Sequence, residues 1–129
     1  MAYSATVQEA ITIGGKTYSK SNTFSDNAEL HITKDVATAE ANYEIDCTMA
    51  VAEISAVFIN STQDVILETN DGTTPDETIN LVANVPYVWH ENSYHVNLLA
   101  TDITALFVTN TSGATATIDV HVLYNAVPA

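Results

Sequence analysis

Residues 89–95, WHENSYH, come nearest in type to a metal site. His90, Glu91 and His95 could supply the imidazole and carboxylate ligands that zinc accepts. Side chains of a strand alternate between its two faces, so a spacing of five places the two histidines on opposite faces. Because only a loop or bend could bring them together, we expect ordinary hydrogen bonding here and no metal site.

The loop at residues 71–77, DGTTPDE, gathers three carboxylates and could suggest a calcium site. It lacks the regularly spaced acidic positions and the terminal glutamate of an EF-hand loop. We therefore expect a solvated hairpin tip.

Catalytic signatures are missing from the sequence. Cys47 is the single cysteine, and its place in an apolar alternation predicts a buried, inert thiol. His121 lies two residues from Asp119 on the polar side of a strand pattern, an ordinary pair. The chain has no serine elbow, no phosphate-binding glycine loop and no arginine. We expect no catalytic residue, no cofactor and no metal, with a small carboxylate-dependent hydrolase as an alternative.

Three aromatic residues form the other candidate site. Tyr87 and Trp89 share one face of a strand pattern, and Tyr94 follows closely. Exposed, these rings could stack on a sugar or fill a partner's pocket; buried, they belong to the core. Tyr3 and Tyr18 lie in a polar segment and are better candidates for contact with a partner.

The charge balance excludes several classes of function. Among 129 residues there are three lysines, no arginine and sixteen acids, which gives a net charge of −13. Such a chain repels nucleic-acid phosphates and anionic membrane surfaces. No apolar run reaches the roughly 18 residues of a membrane span, and MAYSATVQEA does not resemble a signal peptide. We expect a soluble protein, made in a cytoplasm, with a neutral or basic partner.

The charge is spread unevenly along the chain. Lys16, Lys20 and Lys34 balance Glu9, Asp26 and Glu29, and thirteen acids follow without a further lysine. Residues 1–25 are therefore expected to form either a polar N-terminal arm or a first strand followed by a loop. Residues 26–129 are expected to form the body.

Strand patterns dominate the body. Residues 114–124 and 43–51 alternate strictly between apolar and polar, which indicates half-buried antiparallel strands. Residues 28–33 alternate more briefly, and residues 54–59 and 103–108 are apolar on both faces, as in central strands or strands under a neighbouring subunit. Only residues 36–41 could form a helical turn.

Turn signals complete the fold prediction. Asn70, Asp71 and Gly72 separate strand patterns at residues 65–68 and 79–83, which predicts a hairpin. Residues 110–113 join the two last strands. Short strands divided by turns every 8–12 residues predict an all-β fold, a single antiparallel β-sandwich of jelly-roll-like or Ig-like type.

From residue 64 onward the chain resembles a small all-β protein family of tailed-phage virions, the head decoration or capsid cement proteins. The resemblance rests on VILETNDGTTPDETINLVANVPYVW and on paired C-terminal strands ending near Tyr124. It covers about half of the chain, and AITIGGKTYSKSNTF is similar in style.

The resemblance implies a non-catalytic protein that binds and stabilises the major capsid protein lattice from outside, often as a homotrimer, with the N-terminal arm docking on capsid subunits. Candidate contact residues lie in the arm and on two central strands: Tyr3, Lys16, Tyr18, Lys20, Phe24, Phe58 and Phe107. The alternative is a carbohydrate- or receptor-binding β-sandwich module, such as a phage fibre tip, using Tyr87, Trp89 and Tyr94.

Overall fold

A computed structural model describes residues 3–127, which form ten β-strands and a 3-10 turn at Val51–Glu53. The strands, in chain order, are β1 (Tyr3–Ile13), β2 (Lys16–Asp26), β3 (Ala28–Val36), β4 (Tyr43–Met49), β5 (Ile54–Ser61), β6 (Val65–Thr69), β7 (Thr78–Leu81), β8 (Tyr87–His90), β9 (Ile103–Thr109) and β10 (Ala116–Tyr124). The all-β prediction is confirmed.

Eight strands form a sandwich of two four-stranded antiparallel sheets. Their orders are β3-β10-β5-β8 and β4-β9-β6-β7. The first of these eight strands pairs with the last, the second with the seventh, the third with the sixth and the fourth with the fifth. This nested pairing is the strand order of a jelly roll, which decides between the two sandwich types.

The core lies between the two sheets and follows the predicted alternation. In β4, Ile45, Cys47 and Met49 point inward and Glu44 and Asp46 outward. In β10 the inward side chains are Ala116, Ile118, Val120 and Val122. β5 and β9, the strands with two apolar faces, lie inside their sheets as predicted.

The two C-terminal strands do not pair with each other, which corrects the prediction. β9 belongs to one sheet and β10 to the other, so residues 110–113 cross between the sheets. Asn110 lies at this crossing and is fully buried. Its side-chain amide donates hydrogen bonds to the carbonyls of Val36 (2.9 Å), the last residue of β3, and of Ala114 (2.8 Å), two residues before β10 begins.

Residues 36–41 form no helical turn, a second correction. Val36 still belongs to β3, and Ala39 has a φ of +65°, which ends any right-handed helix. The N–H of Ala39 donates to the carbonyl of Asn110 at 2.8 Å, and the N–H of Asn110 donates to the carbonyl of Glu40 at 2.9 Å. This segment therefore holds the end of β9, and the helical turn lies instead at Val51–Glu53, directly after β4.

β1 and β2 form a hairpin outside the sandwich, called the arm below (Tyr3–Asp26). Gly14 and Gly15 have φ values of +58° and +80°, as a two-residue type I′ turn requires. The register runs without a break from Ile13–Lys16 beside the turn to the pair of Tyr3 with Asp26. The polar stretch after Gly15 is thus the second strand of the arm.

Candidate binding surface

The base of the arm packs on the outer face of the sheet β3-β10-β5-β8. Phe24 is buried against Ala56 and Leu123, with half-buried Ala5 and Val7 beside it. The opposite face of the arm carries serines and threonines, because side chains alternate along β1 and β2. Burial of the Phe24 side chain, worth about 2 kcal/mol, fixes which face of the arm lies towards the body.

Two polar contacts flank this apolar base. Glu9 Oε1 lies 3.1 Å from Nε2 of His90, whose buried ring has its centroid 5.2 Å from that of Phe24. The hydroxyl of Ser55 donates to Asp26 Oδ2 at 2.6 Å. The Nδ1 atom of His90 is buried and has no partner among the residues the structure describes. The arm is therefore joined to the body at both ends of its base.

The far half of the arm leaves its apolar face uncovered. Ile11, Ile13 and Tyr18 are 56%, 64% and 53% exposed, although they lie on the arm face that is buried at the base. The ammonium of Lys16 lies 5.4 Å from the centroid of the Tyr18 ring. Lys20 lies opposite Glu9 in the register of the hairpin. Ile11, Ile13, Lys16, Tyr18 and Lys20 are called the distal face below. An apolar surface with cations at its rim is typical of a protein-binding site.

An open cleft of about 730 Å³ separates the arm from the loop at residues 91–98. The ring of Tyr18 lies on the arm side, and the fully exposed Tyr94 lies on the loop side. The polar lining includes Glu9, Ser19, Lys20, Asn22, His90, Asn92, Ser93 and His95. The cleft thus continues the distal face and adds amide and hydroxyl groups to it.

The electrostatics of the arm and the body differ strongly. Two of the three lysines, Lys16 and Lys20, lie in β2, and the third, Lys34, lies in β3. Thirteen of the sixteen acids follow Lys34 in the chain and carry the whole net charge. The distal face is therefore the most cationic part of an acidic protein.

The candidate contact residues of the arm fall into three groups. Lys16, Tyr18 and Lys20 are exposed and lie together on the distal face, and Tyr3 is exposed at the other end of the arm. Phe24 is buried against the body, so it anchors the arm and is not available to a partner.

Phe58 and Phe107 lie on the outer faces of different sheets. Phe58 stands in a row between His121 and Val88. Phe107 is half-buried in a row between Glu44 and Glu68. One binding surface therefore does not include both rings.

The three aromatic residues of the alternative ligand site are not equivalent. Tyr87 and Trp89 are half-buried against the core. The Tyr87 hydroxyl donates to Asn97 Oδ1 and accepts from the N–H of Leu98, and burial raises the pKa of this phenol. Trp89 Nε1 donates to the carbonyl of His95 at 3.0 Å. Tyr87 and Trp89 thus hold the loop at residues 91–98 by hydrogen bonds. Of the three aromatic residues, Tyr94 alone projects into solvent.

The histidines of WHENSYH have different surroundings. His90 ends β8 with its ring buried under the arm, whereas His95 is exposed in the loop. Among residues 3–127 no group of three or more His, Cys, Asp or Glu side chains is placed to hold a metal ion.

The carboxylates of the loop at residues 71–77 are engaged by protein donors. Asp71 Oδ1 accepts from the N–H groups of Thr73 (2.7 Å) and Thr74 (3.2 Å), which lowers the pKa of Asp71. Asp76 accepts from Asn70, and Glu77 accepts from the hydroxyl of Thr69. The hairpin predicted here is confirmed.

Cys47 is buried in the core, and burial raises its pKa to about 11. Its thiol therefore stays protonated at neutral pH and is a poor nucleophile.

A histidine pair that the sequence pattern did not indicate lies on the outer face of β3 and β10. The rings of His31 and His121 stack with centroids 4.4 Å apart. His31 Nε2 lies 3.7 Å from Asp119, and His121 Nε2 lies 3.5 Å from Glu29. The register of β3 against β10 creates this pair, and that register joins segments about 90 residues apart, so no local spacing reveals it.

The chain matches no protein-family model, no curated protein and no solved structure. Among the described residues, no helix is long and apolar enough to cross a membrane.

Proposed function

We propose that this chain is a structural, non-catalytic protein of a tailed-phage particle that binds the outside of the capsid lattice and stabilises it. The observation that carries the proposal is the arm: a hairpin fixed firmly at its base whose distal face, with Ile11, Ile13 and Tyr18, is left exposed. A hairpin with an uncovered apolar face is marginal by itself and gains stability from a partner surface. The partner in this proposal is the major capsid protein lattice.

The jelly-roll sandwich supports the proposal only in general terms. This architecture occurs in viral capsid domains and also in lectin domains, so the fold by itself does not choose between structural and sugar-binding roles. The contrast between the distal face and the acidic body adds more, because the distal face carries two lysines, whereas an acidic surface would repel the body. The body then stays in solvent, where its charge prevents aggregation of many copies.

Assembly on a lattice would multiply the effect of a small contact. We include the homotrimer in the proposal, with copies grouped around threefold positions on the capsid exterior after synthesis in the host cytoplasm. A binder that recognises only the assembled shell stabilises that shell by mass action. Many symmetry-related copies allow each arm contact to be weak.

The distal face is tested by rebinding. Recombinant chain is added to purified particles that lack it, and particles are pelleted through a cushion. We expect Ile11→Ser/Ile13→Ser/Tyr18→Ser to remain in the supernatant, because the variant removes the apolar contact and leaves Phe24 in place.

The matched control changes three exposed apolar side chains of the body, Ile66→Ser/Val82→Ser/Val85→Ser. This variant should pellet with the particles as the wild type does. If the distal-face variant binds as well as the control, the arm does not dock on the lattice.

A second candidate function, the binding of a carbohydrate or receptor by a fibre-like module, is favoured by the cleft. Tyr18 and Tyr94 line it from two sides, and Asn22 and Asn92 supply amides suited to sugar hydroxyls. Screening against immobilised glycans tests it: Tyr94→Ala should abolish a specific signal, while Tyr3→Ala, which removes an exposed tyrosine outside the cleft, should retain it.

A further inference from the structure

The outer edge of β1 carries unpaired backbone groups. In an antiparallel pair, hydrogen-bonded and non-hydrogen-bonded residue pairs alternate. The two-residue turn makes Ile13 and Lys16 a hydrogen-bonded pair, so Ser4, Thr6 and Gln8 fall on non-hydrogen-bonded pairs. Their N–H and C=O groups point away from β2. Among residues 3–127, these groups make no backbone hydrogen bond to another element.

This edge borders an apolar groove. A cavity of about 420 Å³ runs between residues 4–8 of β1 and the outer face of the sheet β3-β10-β5-β8. The floor contains Phe58, Val88 and His121, which stand side by side in one row across the sheet. Phe58 is 39% exposed, so the arm leaves part of this ring uncovered in the groove. At about 3.4 Å per residue, the groove accommodates one extended segment of four to five residues.

The charges around the groove select its occupant. Glu29 is the acidic residue among the lining side chains, with His121 3.5 Å away, and none of the three lysines lines the groove. A second copy of the chain carries a net charge of −13, so charge favours a basic segment over a second copy at this site. A segment with lysine or arginine at its ends is attracted to Glu29 and to the acidic body.

From the free edge, the apolar floor and the charge, we propose that the groove along β1 is a β-augmentation site. An extended, neutral-to-basic segment of a partner protein adds to β1 as a third strand of the arm. Its backbone pairs with Ser4, Thr6 and Gln8, and alternate side chains rest on Phe58 and Val88. The proposal does not depend on the partner being a capsid protein.

The test uses a fluorescein-labelled peptide of alternating valine and threonine with a lysine at each end, and measures fluorescence polarisation with the full chain. We expect saturable binding. The same peptide with glutamate ends should bind at least about tenfold more weakly, since it loses the attraction and adds repulsion. A version N-methylated at alternate amides should not bind, because it cannot form the strand ladder.

A matched pair of proline variants locates the edge. Thr6→Pro removes an outward N–H of β1 without breaking a hydrogen bond of the hairpin. Thr23→Pro does the same on the free edge of β2, directly opposite, and both variants lose the contact between the two threonine hydroxyls at 3.3 Å. Thr6→Pro should weaken binding at least about tenfold, and Thr23→Pro less than about twofold.

A second pair tests the floor and holds even if proline disturbs the arm. Phe58→Ala should weaken binding by roughly tenfold, whereas Ile66→Ala, an equally exposed (39%) apolar residue on the other sheet, should not. The proposal is wrong if the wild type fails to bind at millimolar peptide, if N-methylation changes nothing, or if both members of each pair behave alike. It is also wrong if the chain self-associates in ultracentrifugation and Thr6→Pro abolishes that association, since a second copy then fills the groove.

These results separate the groove from the proposed function. Peptide binding is measured without particles, and the particle assay uses distal-face variants that leave Phe58 and Thr6 intact. A chain that binds particles but not the peptide contradicts only the groove. A chain that binds the peptide but never particles contradicts only the capsid role.

Discussion

Asn110 is a buried polar side chain that connects the two sides of the crossing between the sheets by hydrogen bonds. Its side-chain NH2 group donates hydrogen bonds to the carbonyls of Val36 and Ala114, and its Oδ1 accepts hydrogen bonds from the N–H and the hydroxyl of Ser112. We expect Asn110→Ala to lower the free energy of unfolding by about 3 kcal/mol, because buried carbonyls lose their donors. Urea unfolding measures this loss.

Asn80→Ala is the matched control for that variant. Asn80 is exposed in β7, and its side chain makes no hydrogen bond among the described residues. Its replacement should change the free energy of unfolding by no more than about 0.5 kcal/mol. Equal losses in the two variants would show that the crossing does not depend on the Asn110 amide.

The raised pKa of Cys47 predicts that the folded protein loses stability at alkaline pH. Burial raises its pKa from 9.0 to about 11, so between these values the unfolded chain releases a proton that the folded chain keeps. Stability therefore falls as the pH rises through this window and is fully present below pH 9. Each unit of pKa difference corresponds to about 1.4 kcal/mol.

Cys47→Ala isolates this effect, because Tyr87, whose pKa is also raised, remains in both proteins. Thermal unfolding from pH 8 to 11 should show a steeper decline for the wild type than for the variant. Parallel declines would mean that the thiol ionises as easily in the folded state as in the unfolded state.

At the level of the elements, attachment of the arm depends on Phe24. A two-stranded hairpin released from the body is marginally stable in water. We therefore expect Phe24→Ala to increase trypsin cleavage after Lys16 and Lys20 severalfold, while cleavage after Lys34, in β3, stays slow. The chain has no arginine and no further lysine, so mass spectrometry reads each site directly.

Phe107→Ala provides the control, since Phe107 is a half-buried phenylalanine on the other sheet. It should leave cleavage after Lys16 and Lys20 at the wild-type rate. Similar acceleration in both variants would indicate general destabilisation of the protein instead of release of the arm.

Local alternation predicted strands correctly where one face is buried. β4 follows it residue by residue, and β10 follows it as far as Val122, after which Leu123 is buried under the arm. β6 and β7 follow from the turn after Asn70. The pairing of β3 with β10 could not be predicted, because it joins distant segments, and neither could the sheet crossing at Asn110. The polar arm also escaped local analysis: β2 is mostly serine, threonine and asparagine, and its strand form depends on pairing with β1.

The candidate site was only partly accessible from sequence for the same reason. Tyr18 was identified as a contact residue because a polar segment does not explain it as core, and Lys16 and Lys20 were identified because the resemblance implies a docking arm. Ile11 and Ile13 were missed, although they continue the alternation that begins at Ala5 and Val7. Whether such a strand is covered or free depends on where the body ends, and local sequence does not contain that information.

For the whole molecule, the arm and the body are separable. Every residue of the main core lies at Leu30 or later, so the arm contributes nothing to it. Removing residues 1–26 should leave a body that still unfolds cooperatively, with a free energy of unfolding lower by about 2 kcal/mol, owing to exposure of Ala56 and Leu123. Loss of cooperative unfolding would contradict this independence.

Sedimentation of lysate tests whether the chain belongs to a virus particle. Lysate from the source is separated on a sucrose gradient, and every fraction is probed for the chain. The proposed function predicts that the chain travels with particles of megadalton size. A chain that remains with slowly sedimenting soluble protein contradicts the capsid role and leaves the cleft beside Tyr94 as the surface to test.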